Sequence, residues 1–306
     1  MSRVNELVSS AKGGNRRDIG KLITIIENRS DGYSDLLKII RKKKKDAYVV
    51  GVTGPPGVGK SSLISRLAAE FSKREKLAIV MIDATSPYSG GSLLGNRLRL
   101  ESADNIYVRS MATRGSTGGL NLALGDSIDL LSFLGFSMIL VESVGTGQDE
   151  TDILHYSDRI VMVLSPGMGD QVQAIKAGQM EIGDFVVLNK ADKPEAIIAE
   201  KELMETLSIP DLSKKHRLVK VSALTGEGID QLAHLIISSR NQISKEDSTL
   251  SREKERIRRE ILAVLKSNDD VVEVYAKKVI AEKMTREEAA REILKEIQNC
   301  EFCNNS

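Results

Sequence analysis

Two hydrophobic rhythms alternate from Ala47 to about Ser244. Short, apolar, β-branched runs are followed by longer stretches in which apolar residues return every third or fourth position. The short runs are Tyr48–Thr53, Leu77–Asp83, Ile106–Ser110, Met138–Glu142, Arg159–Ser165, Phe185–Asn189 and Leu218–Ser222, and each reads as a strand. The stretch Leu63, Ile64, Leu67, Ala68 and Phe71 has helical spacing. Such alternation predicts an α/β fold in which a mostly parallel sheet is flanked by helices and ligands bind at the carboxyl ends of the strands. Before it, Ile19, Leu22, Ile23 and Ile26, then Leu36, Leu37, Ile39 and Ile40, predict helices over 1–46. After it, 245–306 shifts to charged helix with a narrow apolar stripe of Ile257, Ile261, Val264 and Leu265, and a Thr-x-x-Glu capping box opens its last helix. The expected organisation is an N-terminal helical extension (1–46), a core domain (47–244) and a C-terminal helical arm (245–306) that folds back or pairs with a second copy.

The first strand runs directly into Gly54-Pro55-Pro56-Gly57-Val58-Gly59-Lys60-Ser61-Ser62, which fits G-x-x-x-x-G-K-[ST] between a strand and a helix. Phosphates need several backbone N–H groups aimed at them, and side chains would obstruct the approach. Gly54, Gly57 and Gly59 let the loop curl into a nest of N–H dipoles, and the helix starting near Lys60 adds its positive end. Lys60 is expected on the β- and γ-phosphates, and the Ser61 hydroxyl on Mg²⁺. The fold expected is therefore that of a P-loop NTPase.

Other motifs sit at the remaining strand ends. Asp83 closes the second strand, where a carboxylate can hold Mg²⁺ directly or through water; helix capping is the alternative for it. Glu142-Ser143-Val144-Gly145 closes the fourth. Its carboxylate is expected to sense Mg²⁺ and the Gly145 N–H to meet the γ-phosphate, with Gln148 as a candidate for orienting the attacking water. Ser165-Pro166-Gly167-Met168-Gly169-Asp170-Gln171 follows the fifth, with an ordinary turn and an Asp cap as its alternative reading. Asn189-Lys190-Ala191-Asp192 names the base: the Asp192 carboxylate can accept from guanine N1–H and the 2-amino group, which adenine does not offer as a pair. Asn189 would support the loop and the Lys190 stem would lie along the ring. Ser222, Ala223 and Leu224 then bring backbone N–H groups suited to guanine O6. GTP or GDP is the expected ligand and Mg²⁺ the expected cofactor.

Composition removes several alternatives. Lys plus Arg number 44 and Asp plus Glu 43 among 306 residues, so no global field favours nucleic acid or membrane. Trp is absent, which argues against base-stacking surfaces. The basic run Arg41–Lys45 reads as a solvated helix end. There is no apolar stretch of bilayer length and no signal-peptide core, so a soluble, cytoplasmic protein is expected. The two cysteines, Cys300 and Cys303, form one C-x-x-C near the end and cannot by themselves make a four-thiolate site; a reduced, idle tail is the plain reading.

Together these residues resemble the methylmalonyl-CoA mutase-associated GTPases, relatives of the human methylmalonic aciduria type A protein. The resemblance runs through the Gly14-Asn15-Arg16-Arg17 helix start, Gly54–Ser62, Ser86–Gly91, Arg109-Ser110-Met111-Ala112-Thr113-Arg114-Gly115, Val141–Gln148, Pro166–Asp170, Asn189–Asp192 and the helical tail. It implies a homodimeric GTPase that chaperones an adenosylcobalamin-dependent acyl-CoA mutase, gating its cofactor loading and protecting it. It also implies that Pro166–Lys176 is an extra switch toward the mutase. Three positions depart from the family pattern. Asn96 stands where an Asp is usual, Ala84-Thr85 alters the usual Asp-Pro-Ser-Ser-Pro, and Ser116-Thr117 replaces a common His-Leu pair. Two rival readings are a GTP-driven metallochaperone using Cys300 and Cys303, and a small-molecule kinase of the arginine/ornithine transport type, an older name for some relatives.

Overall fold

The computed structural model describes residues 3–42, 47–83, 105–112, 123–143, 156–167, 183–207, 217–242 and 268–299, with 250, 253, 254, 257, 258, 260–262, 264 and 265 between the last two spans; of Asp83, Ala112, Gln298 and Asn299 it describes the backbone alone. All seven apolar runs are strands: β1 (Tyr48–Thr53), β2 (Leu77–Asp83), β3 (Ile106–Ala112), β4 (Met138–Glu142), β5 (Arg159–Leu164), β6 (Phe185–Leu188) and β7 (Arg217–Lys220). They form one sheet in the order β3-β2-β4-β1-β5-β6-β7, with every neighbouring pair parallel. From β1 the order runs through β4 to β2 and β3 on one side and through β5 to β7 on the other. The crevice of such a sheet opens where the order reverses, at the carboxyl end of β1.

Five strand ends differ from the sequence reading: β5 and β6 each stop one residue sooner, β7 starts one residue earlier, and the far ends of β3 and β7 shift for reasons of pairing. β3 extends to Ala112 because it stays in register with β2, from Leu77↔Ile106 through Asp83↔Ala112. β7 stops at Lys220 because Ser222 turns away: its N–H goes to Glu227 O (2.9 Å), inside a turn rather than a ladder.

Side chains alternate across the sheet, and each face has its own helices. Val49 points to one face with Ala78, Val80 and Ile82, against α2 (Arg16–Asn28), α3 (Tyr33–Arg41) and α5 (Leu124–Phe133). The same cluster takes in Val4 and Val8 of α1 (Arg3–Lys12), so the N-terminal helices share the core of the sheet. Tyr48, Val50 and Val52 point to the opposite face, against α4 (Lys60–Phe71) and α7 (Ile229–Ser239). Leu63, Ile64, Leu67 and Phe71 of α4 are fully buried, as their spacing requires. Each contributes roughly 1.5–3 kcal/mol. α6 (Ala196–Leu207) covers Met162, Leu164, Val186 and Leu188.

Two local devices fix the N-terminal helices. The Asn15 side chain caps α2, accepting from Arg17 N (3.1 Å) and Asp18 N (3.3 Å). Arg109 of β3 pairs with Glu27 of α2 and donates to the Thr24 hydroxyl (3.2 Å). The motif that begins at Arg109 therefore starts as a brace between the edge strand and α2.

The chain divides into two compact units, Met1–Ser248 and Thr249–Ser306. In the second, α8 (Asp269–Ile280) and α9 (Arg286–Asn299) pack through Tyr275, Ala289, Ile293 and Ile297. The capping box forms reciprocally: Glu288 N donates to Thr285 Oγ1 (3.2 Å), and Glu288 Oε2 accepts from Thr285 N (2.8 Å). Those bonds hold the Glu288 carboxyl below its usual range. The stripe read from sequence splits: Leu265 packs against the α8–α9 cluster, whereas Ile257, Ile261 and Val264 are exposed. Among the described residues no helix is long and apolar enough to cross a membrane.

Candidate functional site

The phosphate-loop sequence occupies the crevice beside β1. Gly54 has φ +139°, and a Cβ there would lie 2.1 Å from Val163 O of β5, so the chain leaves β1 by a path open to glycine alone. Gly59 has φ +94°, and its Cβ would meet the Asn189 amide nitrogen at 2.5 Å. α4 starts at Lys60 with no side chain capping its amino end, which leaves N–H groups directed into the crevice. Lys60 is buried, and its ammonium folds over the loop to Gly54 O (2.7 Å) and Pro55 O (3.1 Å). The loop carries a fixed positive charge inside its own curve.

Ser61 and Glu142 meet although 81 positions separate them. The Ser61 hydroxyl donates to Glu142 Oε1 at 2.6 Å, because β4 lies next to β1 with Val52 opposite Glu142. Glu142 is 7% exposed. Ser143 turns inward, its hydroxyl donating to Thr53 Oγ1 (3.0 Å), and this fixes the strand end. Met81 of β2 also pairs with Glu142, so the backbone of Asp83 lies two residues further toward the same end of the sheet.

The N-K-x-D segment interlocks with the phosphate loop. Asn189 Nδ2 donates to Val58 O (2.8 Å), and its Oδ1 accepts from Ala223 N (3.0 Å). Lys190, held at φ +60°, donates from Nζ to Gly57 O (2.6 Å). The Ser222 hydroxyl donates to Asp192 Oδ1 (2.5 Å) and accepts from Thr225 N (3.1 Å), which leaves Asp192 a second oxygen. Gly59, Arg66, Lys190, Asp192, Ala223 and Leu224 line one cleft of about 690 Å³. The end of the phosphate loop, through Gly59 and Ser62, and the expected base-reading residues thus share one cleft.

Of the residues read from sequence, Gly54–Ser62, Glu142, Asn189, Lys190, Asp192 and Ser222–Leu224 are brought together here. Gly145, Gln148, Asn96, Ala84-Thr85, Ser116-Thr117, the side chain of Asp83, the segment beyond Gly167, and Cys300 and Cys303 lie outside the described residues. Among the described residues no group of three His, Cys, Asp or Glu could hold a metal ion by itself. Sequence reasoning missed Arg66, whose guanidinium reaches Ala223 O (2.9 Å) and Leu224 O (2.7 Å) from α4. Its only signal was a long donor on the polar side of a helix known to start at the phosphate loop.

Comparison with known proteins agrees with this geometry. The family described as Methylmalonyl Co-A mutase-associated GTPase MeaB matches residues 19–279. A protein of Pyrococcus horikoshii named as a GTPase is 40% identical over 294 residues, covering 92% of this chain and 90% of its own length. The mitochondrial methylmalonic aciduria type A homolog of Caenorhabditis elegans is 28% identical over 299 residues, covering 90% and 74%. A crystal structure titled LAO/AO transport system kinase superposes with a TM-score of 0.70 at 23% identity over 98% of this chain and 99% of that one, which establishes the shared fold. The chain therefore belongs to the methylmalonyl Co-A mutase-associated GTPase family, with the parallel sheet and phosphate loop of a P-loop GTPase.

Proposed function

We propose that this chain binds GTP and GDP in the cleft and hydrolyses GTP with Mg²⁺, as a homodimeric chaperone that gates cofactor loading of an adenosylcobalamin-dependent acyl-CoA mutase and protects that enzyme. The observation that carries the guanine part is Asn189, which joins Val58 of the phosphate loop to Ala223 of the O6-facing turn through one side chain. A nucleotide that satisfies one end of the site therefore meets the other end already positioned. Membership of the family, whose description names the mutase, supports the client.

Each residue then has a task. The N–H groups of Gly54–Ser62 cradle the phosphates, and Lys60 exchanges its two loop carbonyls for the β- and γ-phosphate oxygens. Asp192 reads N1–H and the 2-amino group, while the turn Ser222–Leu224 meets O6. The donor set of a hydroxyl and a carboxylate 2.6 Å apart suits a hard, oxygen-seeking cation: Ser61, Glu142 and Asp83 would hold Mg²⁺, which would neutralise charge developing on the phosphates. Gly145 meets the γ-phosphate, and Gln148 orients the attacking water. The domain assignment follows the same reading: 1–46 as a helical extension, 47–244 as the GTPase domain and 245–306 as the dimerisation arm. Exposure of Ile257, Ile261 and Val264 supports an interface for a second copy there.

The test is GTP turnover with Mg²⁺, with and without a purified adenosylcobalamin-dependent acyl-CoA mutase from the same source. Phosphate release that the mutase accelerates and Lys60→Ala abolishes is the expected result. Turnover indifferent to Lys60→Ala would overturn the catalytic assignment, and turnover indifferent to the mutase would overturn the client.

A further inference from the structure

Arg66 lies on the outer side of α4, six positions beyond Lys60, and one guanidinium serves two consecutive carbonyls: Nε donates to Ala223 O at 2.9 Å and Nη2 to Leu224 O at 2.7 Å. The planar fork of arginine suits such a pair, which a point-charge ammonium cannot match. Because the peptide group is planar and trans, holding the Ala223 carbonyl also fixes the direction of the Leu224 N–H, which shares that peptide plane. Holding the Leu224 carbonyl fixes the Thr225 N–H in the same way.

The donors of this turn are then accounted for one by one. Ala223 N–H goes to Asn189 Oδ1 (3.0 Å), and Thr225 N–H goes to Ser222 Oγ (3.1 Å). The Leu224 N–H makes no hydrogen bond among the described residues. Leu224 is 77% exposed and lines the same cleft as Lys190, which would flank the base. One open donor, with its direction fixed by a cation on the opposite edge of its peptide, beside an exposed apolar side chain, suits the carbonyl edge of a flat heterocycle.

We propose that Arg66 is a positioning residue for purine discrimination: from the helix that begins at the phosphate loop, it locks the Ala223–Thr225 turn so that the Leu224 N–H is preset for the O6 acceptor. The proposal rests on the guanine reading of the cleft. A 6-amino group is a donor and opposes the preset N–H, so a rigid turn rejects adenine more strongly than a loose one. Asp192 reads the other edge of the base, so the two selections are separable.

Arg66→Ala and Arg66→Lys would be compared with the wild-type chain by competition of GDP, IDP and ADP against a fluorescent GDP analogue. IDP keeps O6 and N1–H and lacks the 2-amino group. For Arg66→Ala, GDP and IDP affinities should both fall by about 5- to 20-fold, the size expected for two charge-assisted bonds at a partly exposed site, while ADP changes less than about twofold. Arg66→Lys should fall between, since one ammonium reaches one carbonyl. GDP affinity within twofold of wild type, or ADP weakened as much as GDP, would overturn the assignment, the second outcome meaning a generally loosened site. Wild-type protein that binds ADP as tightly as GDP would instead refute the guanine reading beneath it.

Discussion

Replacing Asn189 by Ala tests how far the two halves of the site depend on one another. The side chain is 2% exposed and makes two bonds, donating to Val58 O at 2.8 Å and accepting from Ala223 N at 3.0 Å. Both partners are buried backbone groups, so truncation leaves one carbonyl and one N–H unsatisfied in addition to the bonds lost. At about 1–3 kcal/mol for each stranded group, offset by relaxation of the two loops, the cost is about 2–4 kcal/mol. In a unit of this size that lowers Tm by about 5–15 °C, measured by calorimetry without nucleotide. GDP affinity should fall as well, because the phosphate loop and the Ala223 turn are no longer held in common register. Asn189→Asp refines the test. An aspartate can accept from Ala223 N but sets a carboxylate oxygen against Val58 O, so it should be no more stable than the alanine variant despite its near-identical shape. If both variants melt within about 2 °C of wild type, Asn189 is not the tie between the loops and the reasoning fails.

Further expectations follow from single contacts. Gly54→Ala would put a methyl group 2.1 Å from Val163 O at φ +139°, so soluble yield and GDP binding should both collapse; a well-folded binding-competent variant would contradict the backbone path described. Glu142→Gln keeps an acceptor for the Ser61 hydroxyl at 2.6 Å while removing the charge, so it should melt near wild type yet require higher Mg²⁺ for turnover, read from Mg²⁺ titrations of phosphate release. Tyr48, buried and bonded to Ile236 O (3.0 Å) and the Ser239 hydroxyl (2.8 Å), has its phenol pushed by burial from 10.0 up to about 12. Below pH 10 both folded and unfolded chains keep that proton and the stabilisation is complete. Above it the unfolded chain releases the proton first, so Tm should fall between pH 10 and 12, and less steeply in Tyr48→Phe. If the arm pairs with a second copy as proposed, light scattering should give the wild-type chain a dimer's mass and Ile257→Asp with Ile261→Asp a monomer's, since both residues are exposed; a monomeric wild type, or a variant of unchanged mass, would refute that pairing.

What the sequence disclosed and what it withheld divide along the reach of a local pattern. Strand existence was legible because a parallel sheet covered on both faces demands near-continuous apolar runs, and Tyr48–Thr53 and Met138–Glu142 are buried at every position. The phosphate loop was legible because its glycines answer to backbone geometry within nine residues, and Asn189-Lys190-Ala191-Asp192 because its chemistry is carried by one short loop. Strand ends were less so: whether β3 stops at Ser110 or Ala112 is decided by a partner, β2, that continues to Asp83. The arm was only partly legible for a related reason, since Leu265 and Ile261 look alike in the pattern and are separated by what α8 and α9 present to them. Least legible were the ties across the chain. Arg66 with Ala223 spans 157 positions, Arg109 with Glu27 spans 82, and each residue taken alone is an ordinary charge on an ordinary element. Yet these ties set the precision of the site, because a motif supplies the right groups and only the contacts around it hold them to a tolerance that separates one purine from another. Arg66 is where that difference can be measured, because replacing it releases the Ala223 and Leu224 carbonyls while leaving the Asp192 side of the cleft as it is.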